Sequence, residues 1–282
     1  MAIPSEGLEW QVRTWNQMSE LYVKENAPRM ASVVDGVIAR ANLGSGERIL
    51  DIGTGTGGVI ERAAPLVGPS GFIVGADVSP NMLELARARL ESRFTNIKLI
   101  EAPAEAFPGE NGAFDVVLAS LSIMYVIDRA AAAQEISRVL RSGGRFVAAV
   151  WAGPEQCDLV LFQQIAGRFA GPPPVPGVGP GALADPTSFL QQLGNVGIDA
   201  RLETQMLGFR VDSFAQAWDV FAGVTTAKLT PERRQEAKDA VQAAMWPHGD
   251  GPREFRNLTQ FIVGQKRPNM PLQGPRDEAA RP

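Results

Sequence analysis

The residues best suited to chemistry stand between positions 49 and 77. The stretch 49–59 reads ILDIGTGTGGV, so an acid, Asp51, precedes three glycines spaced G-x-G-x-G, Gly53, Gly55 and Gly57. A second acid, Asp77, closes the next apolar run. Glycine suits a tight turn that brings backbone against a ligand, because no Cβ intervenes. Amides at the start of the following helix can face an anion such as a carboxylate. Asp77, at a strand's end, can accept hydrogen bonds from both hydroxyls of a ribose. A carboxylate at Asp51 gains nothing from a pyrophosphate but attracts an amino-acid ammonium. The pattern favours a nucleoside joined to an amino acid over a dinucleotide.

Such residues need a strand, a loop and a helix in fixed order, and the chain supplies them. Apolar runs predict strands at 48–52, 72–76, 97–100, 114–119 and 145–151. Helices fall between them: one presents Val59, Ile60, Ala63, Ala64 and Val67 on one face. Another opens at Ser79-Pro80 and carries Leu83, Ala86 and Leu90. A third runs through Ala133, Ile136 and Leu140 and is expected to stop at Gly143-Gly144. This alternation predicts a parallel sheet with helices on both faces. Ahead of it, 8–41 reads as helical with an interruption at Pro28.

Beyond Trp151 the rhythm changes. GPPPVPGVGPG at 171–181 is too rich in Pro and Gly for regular structure, and Asp185, Pro186 and Gly194 delimit a short helix. A strand at 200–211, helices at 213–222 and 231–245 and a last strand at 258–264 follow. From 268 the chain is polar and is expected to be disordered.

Composition narrows the function classes. The 282 residues carry a net charge of −4 with no strongly basic region, which argues against nucleic acid as partner. Arg87, Arg89 and Arg93 read as a solvated helix face. One cysteine, Cys157, and one histidine, His248, cannot build a thiolate or His-rich metal cluster, so no metal is expected. Neither a secretory signal nor a spanning segment is evident, so a cytoplasmic protein without a membrane partner is expected.

From about Gly46 to Trp151 the chain resembles the class I S-adenosylmethionine-dependent methyltransferases, in their ubiquinone/menaquinone-methyltransferase-like branch. The resemblance rests on five motifs in order: ILDIGTGTG, VGADVSPNMLELARARL, AEAFP, FDVVLASLSIMYVID and EISRVLRSGGRFVAAVW. It implies a Rossmann-like, doubly wound α/β fold of seven strands, mostly parallel with an antiparallel last strand, plus helical lid insertions. It also implies S-adenosylmethionine as cofactor. Asp51, Gly53, Thr54 and Gly55 would surround its methionine part, and Asp77 the ribose. Val78 and Met82 would line the adenine, whose edge Ala104 and Glu105 would meet. Ser120 would contact the methionyl amino group through its backbone, and Tyr22 would close over the cofactor. One departure stands out: where many relatives carry an Asp two residues before the Glu of AEAFP, this chain has Pro103.

The expected reaction is methyl transfer to an O, N or C nucleophile of a small, apolar or aromatic molecule. An in-line displacement from an activated donor needs orientation and exclusion of water more than a catalytic dyad. His248, in the loop WPHGDG, and Tyr125, just past the fourth strand, are the candidate catalytic residues. A nicotinamide-dependent oxidoreductase would show a G-x-G-x-x-G loop with a Tyr/Lys or His constellation, and neither is evident. A non-catalytic cofactor-binding protein remains compatible with the loop and Asp77. The expected organisation is one domain over 1–267. It comprises a helical lid (1–45), a cofactor-binding core (46–151) and substrate-side insertions (152–184 and 212–250) that hold Trp218, Trp246, Phe162, Phe169 and Phe221.

Overall fold

The computed structural model describes residues 5–171 and 175–268. Positions 172–174 of the Pro-rich segment and 269–282 of the expected tail lie outside the described residues.

The chain opens with α1 (Ser5–Leu21), a π-helical turn (Tyr22–Asn26), α2 (Ala27–Arg29) and α3 (Ala31–Ala41). β1 (Arg48–Ile52), α4 (Gly58–Val67), β2 (Phe72–Asp77), α5 (Pro80–Leu90) and β3 (Ile97–Glu101) then alternate. β4 (Phe114–Ser120) leads through a single 3-10 turn (Ile123–Tyr125) into α6 (Arg129–Val139) and β5 (Leu140–Trp151). The remainder is α7 (Asp158–Gly167), α8 (Thr187–Asn195), β6 (Ile198–Val211), α9 (Phe214–Phe221), α10 (Gly223–Thr226), α11 (Pro231–Met245) and β7 (Arg253–Lys266).

The strands form one sheet in the order β3-β2-β1-β4-β5-β7-β6. The first five are parallel, and β7 inserts antiparallel between β5 and β6. This is the expected seven-stranded, doubly wound arrangement. Helices cover both faces, as side-chain alternation along β5 shows. The ring of Phe261, register partner of Ala149, lies under the Gly36 backbone of α3. Phe146, three positions before Ala149 and so on the other face, packs edge-on against Phe189 of α8 at 6.4 Å. The central strands are apolar on both sides for this reason: Val116, Val117, Leu118 and Ala119 are all fully buried.

Local chemistry sets the helix starts. The Ser79 hydroxyl accepts the Met82 amide at 3.1 Å with Pro80 in the first turn, and Asp128 accepts the Ala131 amide at 3.0 Å. Asp185 takes the Thr187 amide at 2.9 Å ahead of α8, which runs one residue past Gly194.

The end of α6 differs from expectation, as do the helix α7, which was not foreseen, and the earlier start of β7. The helix expected to reach Leu140 and stop at Gly143-Gly144 ends at Val139, and Leu140 already pairs with Phe114 in β5. The register then jumps to Val116 opposite Arg145, so 141–144 bulge out of the strand. At Gly144 a Cβ would lie 3.0 Å from the Asp115 carbonyl oxygen. The glycine pair therefore makes a strand bulge instead of a helix stop.

Candidate active site

β1, β2 and β4 deliver their carboxyl ends to one edge of the sheet, where ligands bind in open α/β folds. A cavity of about 1060 Å³ lies there. Its wall brings together Tyr22, Gly53, Gly55, Asp77, Val78 and Met82, and also Ala104, Glu105, Ser120 and Tyr125.

The glycine loop fits this place. Gly53 has φ +66°, and a Cβ there would lie 2.4 Å from the Ser122 Cβ. Close approach of the 120–122 segment requires the glycine; Ser122 in turn donates its hydroxyl to the Ile52 carbonyl at 2.6 Å. Gly55 has φ +54°, and a Cβ there would meet no atom within 4 Å, because it would project into open space. The first glycine is thus demanded by packing and the second by backbone conformation beside the cavity.

Asp77 is pinned. Its Oδ2 accepts the Gly55 amide at 2.8 Å and its Oδ1 accepts the Ser79 amide at 2.9 Å. Each carboxylate oxygen retains a lone pair, so ribose hydroxyls can still be accepted. Burial raises its pKa, opposed by these amides.

Asp51 and Thr54 do not line the cavity. Asp51 sits directly behind the wall residues Ile52 and Gly53, fully buried, and Thr54 is 6% exposed. Asp51 and Thr54, expected around the methionine part, therefore stand beside the wall residues Ile52, Gly53 and Gly55 without lining the cavity themselves. Among the described residues neither Asp51 oxygen nor the Thr54 hydroxyl has a well-formed hydrogen bond, although Thr54 stands close enough to Asp51 to favour its charged form. Burial pushes the Asp51 carboxyl up to about 7, with the neighbouring Thr54 opposing and the charge of Asp77 reinforcing the rise. An unpaired carboxylate in such a place is costly unless a cation answers it.

The lid is α1. Asn16 Oδ1 accepts the Ser79 hydroxyl at 2.7 Å, tying the helix to the start of α5 beside Val78. Gln11 donates its side-chain amide to the Tyr125 carbonyl and accepts from the Trp15 indole at 3.1 Å. Trp15 meets Tyr125 edge-on at 4.9 Å and Tyr22 at 6.4 Å. Tyr22 opens the π-helical turn, a local distortion frequent at functional sites. Burial, then the charges of Asp77 and Asp51, pushes its hydroxyl up to about 12. Burial, then Tyr22, also raises Tyr125. Both phenols therefore stay protonated near neutral pH.

His248 is exposed in the turn after α11 and is not on the cavity wall. Glu105 lines the wall, but its Oε1 accepts the amides of Ile127 (3.0 Å) and Asp128 (3.2 Å), tying the 123–128 turn to the loop after β3. Most aromatics of the insertions are core: Phe162 packs on Trp218, Phe221 and Phe255. Trp10, Trp15 and Phe221 do reach the cavity.

Sequence reasoning missed Gln11, Asn16, Ser122 and Leu121. Leu121 adopts φ +56°, a strained value for a branched side chain, on the cavity wall. Ser122 had a signal, its place two residues past Ser120; Gln11 and Asn16 had none beyond lying on a helix. Arg89 and Arg93 are not merely solvated: both bond to Glu61, and Arg89 also donates to the Thr56 carbonyl at 2.6 Å.

Known proteins carry the same arrangement. Residues 43–164 match the model of a methyltransferase domain family. The matched segment holds the glycine loop, Asp77 and the strand ends that border the cavity. A ubiquinone/menaquinone biosynthesis C-methyltransferase UbiE of Coxiella burnetii is 38% identical over 127 residues, which cover 44% of this chain and 51% of that protein. A demethylmenaquinone methyltransferase of Lactococcus lactis is 42% identical over 104 residues, 36% of this chain and 41% of that one. The chain thus spans about half the length of the curated relatives it matches. A putative methyltransferase of Bacillus halodurans shares the fold with TM-score 0.62 at 20% identity, covering 84% of this chain and 99% of that one. YcgJ of Bacillus subtilis does so with TM-score 0.60 at 18% identity, covering 84% and 98%. Around the matched segment, α1 and the segments from α7 to α10 supply the rest of the cavity wall.

Proposed function

We propose that the protein is an S-adenosylmethionine-dependent methyltransferase acting on an O, N or C nucleophile of a small, apolar or aromatic molecule. The carrying observation is one cavity with two unlike ends. The glycine loop and Asp77 form the first; Leu8, Trp10, Val160, Phe221 and Leu229 belong to an apolar remainder. Its volume of about 1060 Å³ exceeds the need of a single drug-sized ligand, so cofactor and acceptor can share it.

The residues present fit the cofactor. The Asp51 carboxylate supplies a negative charge directly behind the wall residues Ile52 and Gly53, where a methionyl ammonium is to be held. Asp77 keeps acceptor capacity for the ribose hydroxyls, and Val78 and Met82 give the base an apolar bed. Ala104 lines the adenine edge; with Pro103 in place of an Asp, backbone groups read that edge. Ser120 offers backbone to the amino group, and Tyr22 with Trp15 covers the site. Bound S-adenosylmethionine supplies an activated methyl group. The chain orients the acceptor and, through α1, keeps water out.

With His248 outside and both tyrosines held protonated, no wall residue is assigned as base. Such a site suits an acceptor whose nucleophile ionises readily, such as a phenol or quinol. The names of the relatives put a quinol carbon first among candidates. Among the described residues no group of three or more His, Cys, Asp or Glu comes together as a metal site, and the reading contains no metal. Nor is any described helix long and apolar enough to cross a membrane; the reading places the protein in the cytoplasm.

Transfer of label from methyl-labelled cofactor to a panel of phenols, amines and quinols tests the function. Product with a phenol or quinol is expected. Cofactor binding without transfer to any member would point to a protein that binds S-adenosylmethionine without methylating.

A further inference from the structure

Four charged side chains line the cavity: Arg13, Asp77, Glu105 and Lys228. The two acids are already engaged, Asp77 by the amides of Gly55 and Ser79 and Glu105 by those of Ile127 and Asp128. The two bases are not. Among the described residues neither Arg13 nor Lys228 has a hydrogen bond or ion pair, and both are exposed at the cavity's edge. Many arginines elsewhere on this surface are answered by carboxylates, as Arg145 is by Glu47 at 2.7 Å and Arg40 by Glu203 at 2.9 Å, while Arg168, Arg234 and Arg256 are unanswered too but do not line the cavity.

Placement adds to this contrast. Arg13 belongs to α1 and Lys228 follows α10, so elements from opposite ends of the chain bring both charges to one cavity. Gln163 of α7, a helix packed against α10, also lines it with its amide unpartnered. The apolar side chains flanking the two bases, Trp10 and Leu229, line the same wall. Charge is thus segregated: neutralised acids beside the glycine loop and the 123–128 turn, unanswered bases on the lid elements.

Resting on the methyltransferase reading, we propose that the acceptor carries an oxyanion head, a carboxylate or phosphate, on an apolar body. Arg13 and Lys228 meet the head. The guanidinium fork of Arg13 matches two oxygens of either head, and Lys228 adds a point charge. The apolar wall takes the body. The pair also raises the local concentration of anionic acceptor in a salt-dependent way.

The test uses the full-length protein saturated with S-adenosylhomocysteine and three probes on one ring system: 2-naphthoate, 2-naphthyl phosphate and 2-naphthol. Calorimetric titration at low salt should show at least one anion binding about tenfold or more tighter than the neutral probe. High salt should shrink that preference, and the better anion tells carboxylate from phosphate. The double variant Arg13→Gln/Lys228→Gln should lose most of the preference while its affinities for 2-naphthol and S-adenosylhomocysteine stay put. The proposal is overturned by absence of anion preference, whether all three probes bind alike or none binds, and equally by a preference that survives the double variant. Failure of S-adenosylhomocysteine itself to bind would overturn the methyltransferase reading beneath it.

Discussion

Replacing Asp51 by Asn should stabilise the ligand-free protein at neutral to alkaline pH and weaken its hold on the cofactor. The Asp51 carboxyl has an ordinary value of 3.8 and rises to about 7 in the fold, chiefly through burial. Between those values the unfolded chain has released this proton while the folded chain keeps it, so the folded state binds more protons and stability falls as pH rises. Each pH unit in that window costs about 1.4 kcal/mol, and the whole interval sets a ceiling of about 4 kcal/mol above pH 7. Below pH 4 the effect vanishes, because both states are protonated. Asn keeps the shape without the charge, so its curve should lack this slope. Urea unfolding of both proteins at pH 5, 6, 7 and 8 reads the difference directly, including the part of the Asp51 rise that comes from the charge of Asp77. The variant should gain steadily on the wild type from pH 5 to 7 while binding S-adenosylhomocysteine about tenfold or more weakly at pH 8. A constant stability gap across that range, or undiminished affinity, would refute the reasoning that Asp51 is a buried charge awaiting a cation.

Gly53→Ala should cost about 2–5 kcal/mol of stability, from left-handed strain and the Cβ contact with Ser122. Gly55→Ala should cost only about 1–2 kcal/mol, yet block ligand binding because its methyl projects into open cavity; thermal unfolding and ligand titration check both, and the reverse order would count against the loop assignment. Asp77→Ala should lose stability as well as affinity, since the Gly55 and Ser79 amides lose their acceptors at about 1–3 kcal/mol each. His248→Ala should retain full transfer rate with any accepted substrate, and a large drop in kcat would return that residue to the mechanism.

The legible parts of the fold were those fixed by local chemistry. β1 falls at 48–52 as read, because an apolar run ahead of a glycine turn has one reading, and Ser79 and Asp128 cap the helices they announce. Gly143-Gly144 misled because glycine serves a strand bulge as readily as a helix stop. Only the pairing of Leu140 with Phe114 decides between them. The wall residues Gly53, Gly55, Asp77, Val78 and Met82 were readable because their motif is contiguous with the elements that place them. Asp51 was readable as an acid but not as a buried one, since its orientation depends on the neighbouring strands β2 and β4. Gln11, Asn16 and Arg13 carried no signal: a polar residue on a helix gains a role only when the helix docks over the strand ends. His248 drew attention through its chemistry and its loop before the last strand, and the fold leaves it exposed and off the cavity wall.

Titration of the protein with S-adenosylhomocysteine at neutral pH, alongside NADH, tests the central claim most directly. The account predicts one molecule bound per chain, affinity lowered by Asp77→Ala and by Asp51→Asn, and no binding of NADH. Binding of NADH with silence from S-adenosylhomocysteine would contradict it.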